Sequence, residues 1–404
     1  MIINPVEVSK SGNEVKIQSL IEYSGKKKYL WYSIPKEFSQ YITTEKLDGF
    51  LVGVLLLAMK LGEDIDIKGA VSERLYFNLM NSYMSVVKLV MPSLTKVNIY
   101  PQNLDNGKTA KCKGAVVTGF SAGVDSFSTI YDNYFSNAPP AYKITHFVFN
   151  NVGSHGEFES ERSRELFNAR YDLLKGYPCE LGIPFIKIDS NLSEILKMDY
   201  QQTHVPRNVS AILLLQKLFA KYYYSSSCQY RDCVYKPHFD ISVTDPAALH
   251  LLSTETFECI STGCQYSRVE KTRRLAKIPG ANRWLNVCVT PSPDGKNCST
   301  CKKCCRTLLT LEILGLLDDF KQVFSLDKWA GVKNRYLIWM LGDKNDPLFN
   351  EIKEYANSVG YSFKPWQLVA SKSLHFTADN LGLSQFKYFK ISAYYITRLL
   401  SKLK

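Results

Sequence analysis

Two hydrophobic periods divide the chain. Glu14-Val-Lys-Ile-Gln-Ser-Leu-Ile21 largely alternates apolar with polar residues, and Lys28-Tyr-Leu-Trp-Tyr-Ser-Ile34 is β-prone. Residues 7 to 34 therefore read as strands around a Ser-Gly-Asn turn at Ser11 to Asn13. Helices are predicted for Leu47 to Leu61 and Ser72 to Val90, then a strand over Lys96 to Tyr100 and a polar linker from Pro101 to Lys111. From Lys113 apolar strands alternate with helices. The strands are Ala115 to Thr118, Thr145 to Asn150, Pro184 to Ile188 and Phe239 to Val243; the helices are Phe158 to Leu174 and Asn208 to Tyr223. Leu308 to Phe320 and most of the tail to Lys404 read as helix. Such alternation predicts an α/β fold, with a parallel sheet covered by helices on both faces and ligands bound beyond the carboxyl ends of its strands. Three domains are expected: an N-terminal α+β domain at 1–112, the α/β domain at 113–312 and a helical C-terminal extension at 313–404.

With 45% apolar and 22% charged residues in 404, the chain can bury a large core, and disorder is excluded. Its longest uncharged apolar run, Gly49 to Met59, has 11 residues. A membrane span requires roughly 20, so no membrane partner is expected. The first residues lack the basic-then-apolar pattern of a secretory signal, which sets the expectation of a cytoplasmic protein. The net charge of +12 leaves a nucleic-acid partner open without favouring it, because no single tract carries the excess. Lys271 to Lys277 is one short basic run, and 331–404 holds 11 basic against 5 acidic residues. The tyrosines of Tyr222-Tyr-Tyr224 and the aromatic-basic stretch Lys387 to Tyr395 could stack bases, but read more readily as core or interface.

The first candidate for chemistry follows the strand at Ala115. Ser121-Ala-Gly-Val-Asp-Ser126 joins that strand to a helix with little side-chain bulk. Ser121 and Ser126 offer hydroxyls, and Asp125 can cap the helix or approach the metal on a nucleotide. Backbone N–H groups at such a helix start suit phosphate. A serine-capped helix start without a ligand is the plainer reading of the same residues. Gly107-Lys108-Thr109 is not a Walker A loop, since position 102 is glutamine and no apolar strand leads into it.

Eleven cysteines include the run Cys288-x9-Cys298-x2-Cys301-x2-Cys304. Four thiolates at this spacing suit a closed tetrahedral structural zinc site. Cys305 is a fifth thiol in the stretch, and spacing favours Cys304 as the ligand. An iron–sulfur cluster and buried thiols without metal are the other readings. Cys259 and Cys264 read as isolated core thiols.

The turn resembles the Ser-Gly-Gly-x-Asp-Ser motif of the PP-loop ATP pyrophosphatases, with Ala122 at the first glycine, where a side chain calls for a negative φ. With the four cysteines it resembles the 7-cyano-7-deazaguanine synthase (QueC-like) branch of that superfamily. Val205-Pro-Arg-Asn208 is similar to that branch's Val-Pro-(Gly)-Arg-Asn without the glycine. The segment from Phe147 to Glu157, with Gly153 and His155, takes the place of its aromatic-Gly-x-x-His stretch. The resemblance covers about Gly114 to Glu312, which implies an enlarged member, with an adenine nucleotide alpha hydrolase-like (HUP) core and a structural zinc knuckle.

The resemblance implies ATP, Mg²⁺ and a structural Zn²⁺ as cofactors, with Cys288, Cys298, Cys301 and Cys304 on the metal. It implies an adenylating C–N ligase that releases pyrophosphate and leaves AMP on a carboxylate, that of 7-carboxy-7-deazaguanine, for ammonia or an amine to displace toward an amide or nitrile, as in queuosine biosynthesis. Nucleotide contacts fall on Phe120, Ser121, Ala122, Gly123, Val124, Asp125, Ser126, Phe149 and Asn150. Substrate contacts fall on His155, Arg207 and Asn208, and catalytic charge on Asp125, Arg207 and Lys271. Arg207 supplies a fork for a carboxylate or phosphate and Lys271 a point charge near the pyrophosphate; a helix-closing role for Arg207 and a solvated one for Lys271 stay open, and His204 is a weaker candidate than His155. Enlarged relatives resemble proteins of anti-phage gene clusters, which leaves open a deazaguanine attached to a protein partner from the same operon. A nucleotide-binding scaffold, inactive through Ala122, and a homodimer stay open too.

Overall fold

The computed structural model describes residues 1–108, 112–155, 161–289 and 295–380. Chain contacts divide it into two compact units, Met1–Tyr266 and Ser267–Lys404.

The first unit is an α/β structure around one sheet of 11 strands. They are β1 (Ile2–Ile3), β2 (Glu7–Ser11), β3 (Glu14–Tyr23), β4 (Lys26–Pro35), β5 (Ile65–Ser72), β6 (Ile99–Asp105), β7 (Ala115–Gly119), β8 (His146–Asn150), β9 (Phe185–Ser190), β10 (Phe219–Ser225) and β11 (Glu258–Thr262). The order across the sheet is β11-β10-β7-β8-β9-β4-β3-β1-β5-β6, with β2 beside β3. From β11 to β9 every pairing is parallel. The antiparallel pairings belong to β9–β4, β4–β3, β3–β1 and β2–β3.

The sequence explains this split. In β3 the alternation buries Val15, Ile17, Ser19 and Ile21 and turns their neighbours outward, as suits a hairpin with one covered face. Val116, Val117 and Thr118 of β7 are all buried, as are Phe147 to Asn150 of β8, so these strands need cover on both faces. The two halves meet where Tyr32 pairs with Ser190 and Ser33 with Asp189. Asn191 secures that seam: its Oδ1 accepts from the Trp31 amide at 2.8 Å and its Nδ2 donates to the Tyr29 carbonyl at 2.8 Å. Segments on either side of Cys112 thus share one sheet.

The helix Asp48–Leu61 is buried from Asp48 to Met59. It packs against the helix Tyr200–Leu213 so closely that a Cβ on Gly49 would lie 2.8 Å from the Ser210 carbonyl. A buried polar knot holds its start, with the Asp48 carboxylate accepting from Ser72 and from Gln216 Nε2 at 2.9 Å. Among the described residues no helix is long and apolar enough to cross a membrane.

Three expected elements differ. The polar linker expected from Pro101 to Lys111 is part of strand β6 as far as Asp105. The predicted helix Asn208 to Tyr223 is a helix over Tyr200–Leu213 followed by strand β10. Its second half is rich in aromatic residues, which fit a pleated surface between two strands, and β10 pairs with both β7 and β11. The predicted strand Phe239 to Val243 is a short 3-10 turn, Ile241–Thr244, because the Asp240 carboxylate accepts from the Ser242 amide and starts a turn. Strands β5 and β11 were not anticipated.

The second unit is helical. Arg268–Arg274 opens with a capping box between Ser267 and Glu270. Lys302–Ile313, Leu326–Gly342, Pro347–Ser358 and Pro365–Asn380 follow. Trp329, Tyr336, Trp339 and Phe349 form an edge-to-face aromatic core between them. Glu312 accepts from Trp329 Nε1 and from the Tyr361 hydroxyl, both at 3.0 Å. The aromatic-basic stretch Lys387 to Tyr395 lies outside the described residues, as do Thr109 and Glu157.

Candidate functional site and metal centre

β7 ends at Gly119, and the chain turns through Phe120 to Gly123 into the helix Val124–Ile130, which continues as a π-helical turn over Tyr131–Phe135. Phe120 anchors the turn from below. Its ring is buried and stacks on Phe147 and Tyr177, while its amide donates to the Val148 carbonyl at 2.9 Å. Gly123, extended at φ −79 and ψ 169, is the N-cap, and no side chain caps this end. The Ser121 side chain is exposed and its Oγ accepts from the Gly123 amide at 3.4 Å. Val124 is buried, Asp125 half-buried, and Ser126 Oγ donates to the Gly123 carbonyl at 3.0 Å.

Ala122 corrects the expectation of a negative φ: it sits at φ 54, in the left-handed region, and is fully buried. The Phe120–Val148 bond before it and the Gly123 cap after it fix the direction of the chain, so the bend falls on residue 122 whatever occupies it. The alanine keeps the backbone shape that a glycine would take there, at a cost of about 1–2 kcal/mol.

Asn150, at the carboxyl end of the neighbouring strand β8, donates through Nδ2 to Asn208 Oδ1 at 3.2 Å. Among the described residues its own Oδ1, which is buried, has no hydrogen-bond partner. An orphaned buried acceptor costs about 1–3 kcal/mol, so this atom is suited to a donor from a ligand. Asn208 Nδ2 donates to the His204 carbonyl at 2.8 Å and approaches the Tyr200 hydroxyl at 3.4 Å. Phe149 lies in an aromatic group with His155 and Phe167, its ring centroid 5.1 Å and 5.3 Å from theirs. Burial, and then the charge of Arg170, draw His155 down to about 3, so it is a neutral ring at physiological pH.

Arg207 is among the most deeply buried large side chains, only 1% exposed. Nε donates to Thr203 Oγ1 at 2.6 Å, Nη1 to the Val152 carbonyl at 3.0 Å and Ser193 Oγ at 3.2 Å, and Nη2 to the Met198 carbonyl at 2.6 Å. The guanidinium lies 5.7 Å over the Tyr200 ring. Burial lowers its pKa to about 10, which still leaves it charged near neutrality. Its fork is directed at the protein's own acceptors, binding the loop after β8 to the helix Tyr200–Leu213. Gly153 makes this possible, since at φ 112 its absent Cβ would fall 2.5 Å from Arg207 Nη1.

A cleft of about 760 Å³ lies at the opposite, amino ends of β7, β8 and β9, lined by Lys113, Ala115, His146 and Pro184. A parallel sheet presents its ligand-binding loops at the other end. We therefore place the candidate site at Gly119–Ser126, Asn150 and Asn208.

In the second unit, Cys288, Cys298, Cys301 and Cys304 bring their sulfurs within 4.8 Å of one another. Sγ of Cys288 lies 3.8 Å from that of Cys301, and Sγ of Cys298 lies 3.9 Å from that of Cys304. A tetrahedron with Zn–S of about 2.3 Å has edges of about 3.8 Å, so these two separations already match and the group could hold zinc with shifts of about 1 Å or less. Amides support the sulfurs: Cys298 N donates to Cys288 Sγ at 3.4 Å and Cys301 N to Cys298 Sγ at 3.2 Å. Ser299 takes φ 61 to close the knuckle, and Asn297 ties it down through the Leu285 and Val323 carbonyls. Cys305 points instead toward the Ser299 carbonyl, leaving Cys304 as the fourth ligand. Lys271 belongs to this unit, in Arg268–Arg274, and is buried.

Sequence reasoning passed over Tyr200 and Asp240 and read Tyr224 only as a stacking, core or interface residue; all three lie beside His204 or Asn208. Their separation along the chain leaves no motif. No family model, curated protein or solved structure matches the chain.

Proposed function

We propose that the protein is an ATP-dependent, AMP-forming enzyme of the PP-loop type that activates a carboxylate, that of 7-carboxy-7-deazaguanine, for displacement by ammonia. The observation that carries the reading is the turn at Ala122. A buried residue kept in the left-handed region at the start of an uncapped helix, beside the orphaned Asn150 Oδ1, has the form of a nucleotide cradle.

In this reading the amides around Gly123 and the Ser121 hydroxyl receive the pyrophosphoryl group, and Asp125 faces the Mg²⁺ that accompanies it. Asn150 Oδ1 accepts a hydrogen bond from the nucleotide or the acid. A carboxylate resists nucleophiles because of its charge and poor leaving group; transfer of AMP to its oxygen removes both obstacles. Arg207 and Gly153 shape the loop behind the site, and the four-cysteine knuckle is structural.

The test is incubation of the full chain with ATP, Mg²⁺ and the carboxy-deazaguanine, with and without ammonium, followed by mass analysis of small products and of the protein. AMP and pyrophosphate that depend on the acid, with an amide or nitrile that depends on ammonium, are the expected products. An absence of acid-dependent pyrophosphate from zinc-loaded protein removes the reading.

A further inference from the structure

At the carboxyl edge of the sheet, His204 bridges two partners. Its Nε2 lies 3.1 Å from Asp240 Oδ1, and its Nδ1 is hydrogen-bonded to the Tyr224 hydroxyl. A carboxylate only accepts, so Asp240 selects the tautomer with hydrogen on Nε2 and leaves Nδ1 bare to take the Tyr224 proton. Asp240 is itself held by the Ser242 amide at 2.9 Å and by Gln201 Nε2. This is the order of a carboxylate–imidazole–hydroxyl relay, with a phenol in the terminal position.

Position adds to connectivity. Tyr223 pairs with Thr118, so Tyr224 stands level with Gly119, the residue that opens the turn. The His204 carbonyl is bonded to Asn208, and Asn208 to Asn150, which links the relay to the orphaned acceptor of the site. Tyr224 is half-buried, whereas a purely structural phenol on this strand, Tyr222, is closed off. Ser225 Oγ and Asp245 Oδ2, from the next position in β10 and from a segment facing these tyrosines, are also buried without partners among the described residues. A network serving only the fold would be expected to satisfy such atoms.

We propose that Tyr224 is the catalytic acid–base group of the amide-forming step, with His204 and Asp240 as the positioning residues behind it. The proposal rests on carboxylate activation as the reaction. As ammonia attacks the acyl adenylate, a C–N bond forms and the C–O bond to AMP breaks, its electron pair leaving with AMP. The surplus ammonia proton passes to Tyr224 Oη while the phenolic proton moves to His204 Nδ1. The imidazolium is stabilised by Asp240 and then releases its proton to water. The titratable groups facing this path are Tyr200, Tyr222, Asp240 and Asp245, with His238 beyond Asp240 and the Arg207 cation beside Tyr200.

The experiment separates the two half-reactions in the full chain: ATP–pyrophosphate exchange driven by 7-carboxy-7-deazaguanine, and amide formation with ammonium. Tyr224→Phe and His204→Gln are expected to lower the ratio of amide formation to exchange by about 100-fold, the usual weight of general acid–base catalysis. Asp240→Asn is expected to lower it and to displace the pH profile of amide formation but not of exchange. Hydroxylamine, a weaker base than ammonia whose adduct sheds its surplus proton to water without help, is expected to return the ratio toward wild type, which a merely structural defect would not allow. Exchange that persists with a ratio within about 3-fold of wild type in Tyr224→Phe and His204→Gln overturns the relay alone. Wild-type protein without acid-dependent exchange overturns carboxylate activation and the relay with it.

Discussion

Replacing Gly153 by alanine isolates the contact between the loop after β8 and Arg207. The φ of 112 is a region that side chains enter at a cost of about 1–3 kcal/mol. The added Cβ would also stand 2.5 Å from Arg207 Nη1 and 2.9 Å from Ser193 Oγ, well inside contact distance. Nη1 must then give up one of its two partners, the Val152 carbonyl at 3.0 Å or Ser193 Oγ at 3.2 Å. With the guanidinium 1% exposed, water cannot replace it. Hydrogen bonds to a charged group contribute about 1.5–3 kcal/mol each, so strain and one lost bond together reach about 4 kcal/mol. At about 2–4 °C per kcal/mol for a unit of this size, the midpoint of thermal unfolding falls by about 8–16 °C. A double-mutant cycle with Arg207→Met identifies the cause. In that background Gly153→Ala meets no guanidinium and costs the backbone strain and the Ser193 contact alone, giving a coupling of about 2 kcal/mol for the lost guanidinium bond. A cost under about 1 kcal/mol, or one that is the same with and without Arg207, would refute the reasoning.

Three further outcomes follow from the geometry. Cys304→Ser is expected to remove zinc from the purified chain while Cys305→Ser leaves one equivalent bound, as read by native mass spectrometry; equal zinc in both variants sinks the ligand assignment. His155, held to about 3 in the fold against 6.5 when unfolded, binds its proton in the unfolded chain first as the medium is acidified. Its contribution to stability is therefore complete above 6.5 and is lost as pH falls toward 3. The loss reaches at most about 1.4 kcal/mol per pH unit, and urea midpoints of His155→Gln should lack this component. Ala122→Gly relieves about 1–2 kcal/mol of left-handed strain but gives up about 0.8 kcal/mol of methyl burial and about 0.4–1 kcal/mol through unfolded-chain entropy. It should be neutral within about 1 kcal/mol, whereas Ala122→Val, β-branched at φ 54 in a fully buried position, should lower the urea midpoint clearly.

What was legible in the sequence was local. The strand-to-helix turn at Ser121 is one continuous stretch, and the four cysteines fall within 17 residues, so spacing alone specified both. Strand β3 was equally plain because every second residue faces the core. β10 was not, since Ile212-Leu-Leu-Leu215 runs on toward Phe219 with no Gly or Pro between them, and an apolar run has no period that separates a buried helix from a buried strand. That one ambiguity hid the relay. With Tyr224 just past the end of a supposed helix, nothing relates it to His204 20 residues earlier or to Asp240 16 residues later.

Arg207 and Tyr224 show how far a side chain's contacts can depart from what its residue type suggests. An arginine in Val-Pro-Arg-Asn suggests a ligand contact, yet its donors go to Thr203, Val152, Ser193 and Met198, acceptors contributed by separate parts of the first unit. A tyrosine among three in a row suggests filling, yet its hydroxyl ends a carboxylate–imidazole chain at the edge where the turn opens. The difference predicts opposite phenotypes. Arg207→Met leaves two carbonyls and two hydroxyls without their donor, so it should lose stability by about 3 kcal/mol or more, and activity only as a consequence. Tyr224→Phe removes the oxygen of one half-buried side chain and should lower stability by about 1 kcal/mol while amide formation falls. Turnover measured at equal folded fraction separates the two; an Arg207→Met protein that is fully folded but inert would return the guanidinium to the chemistry.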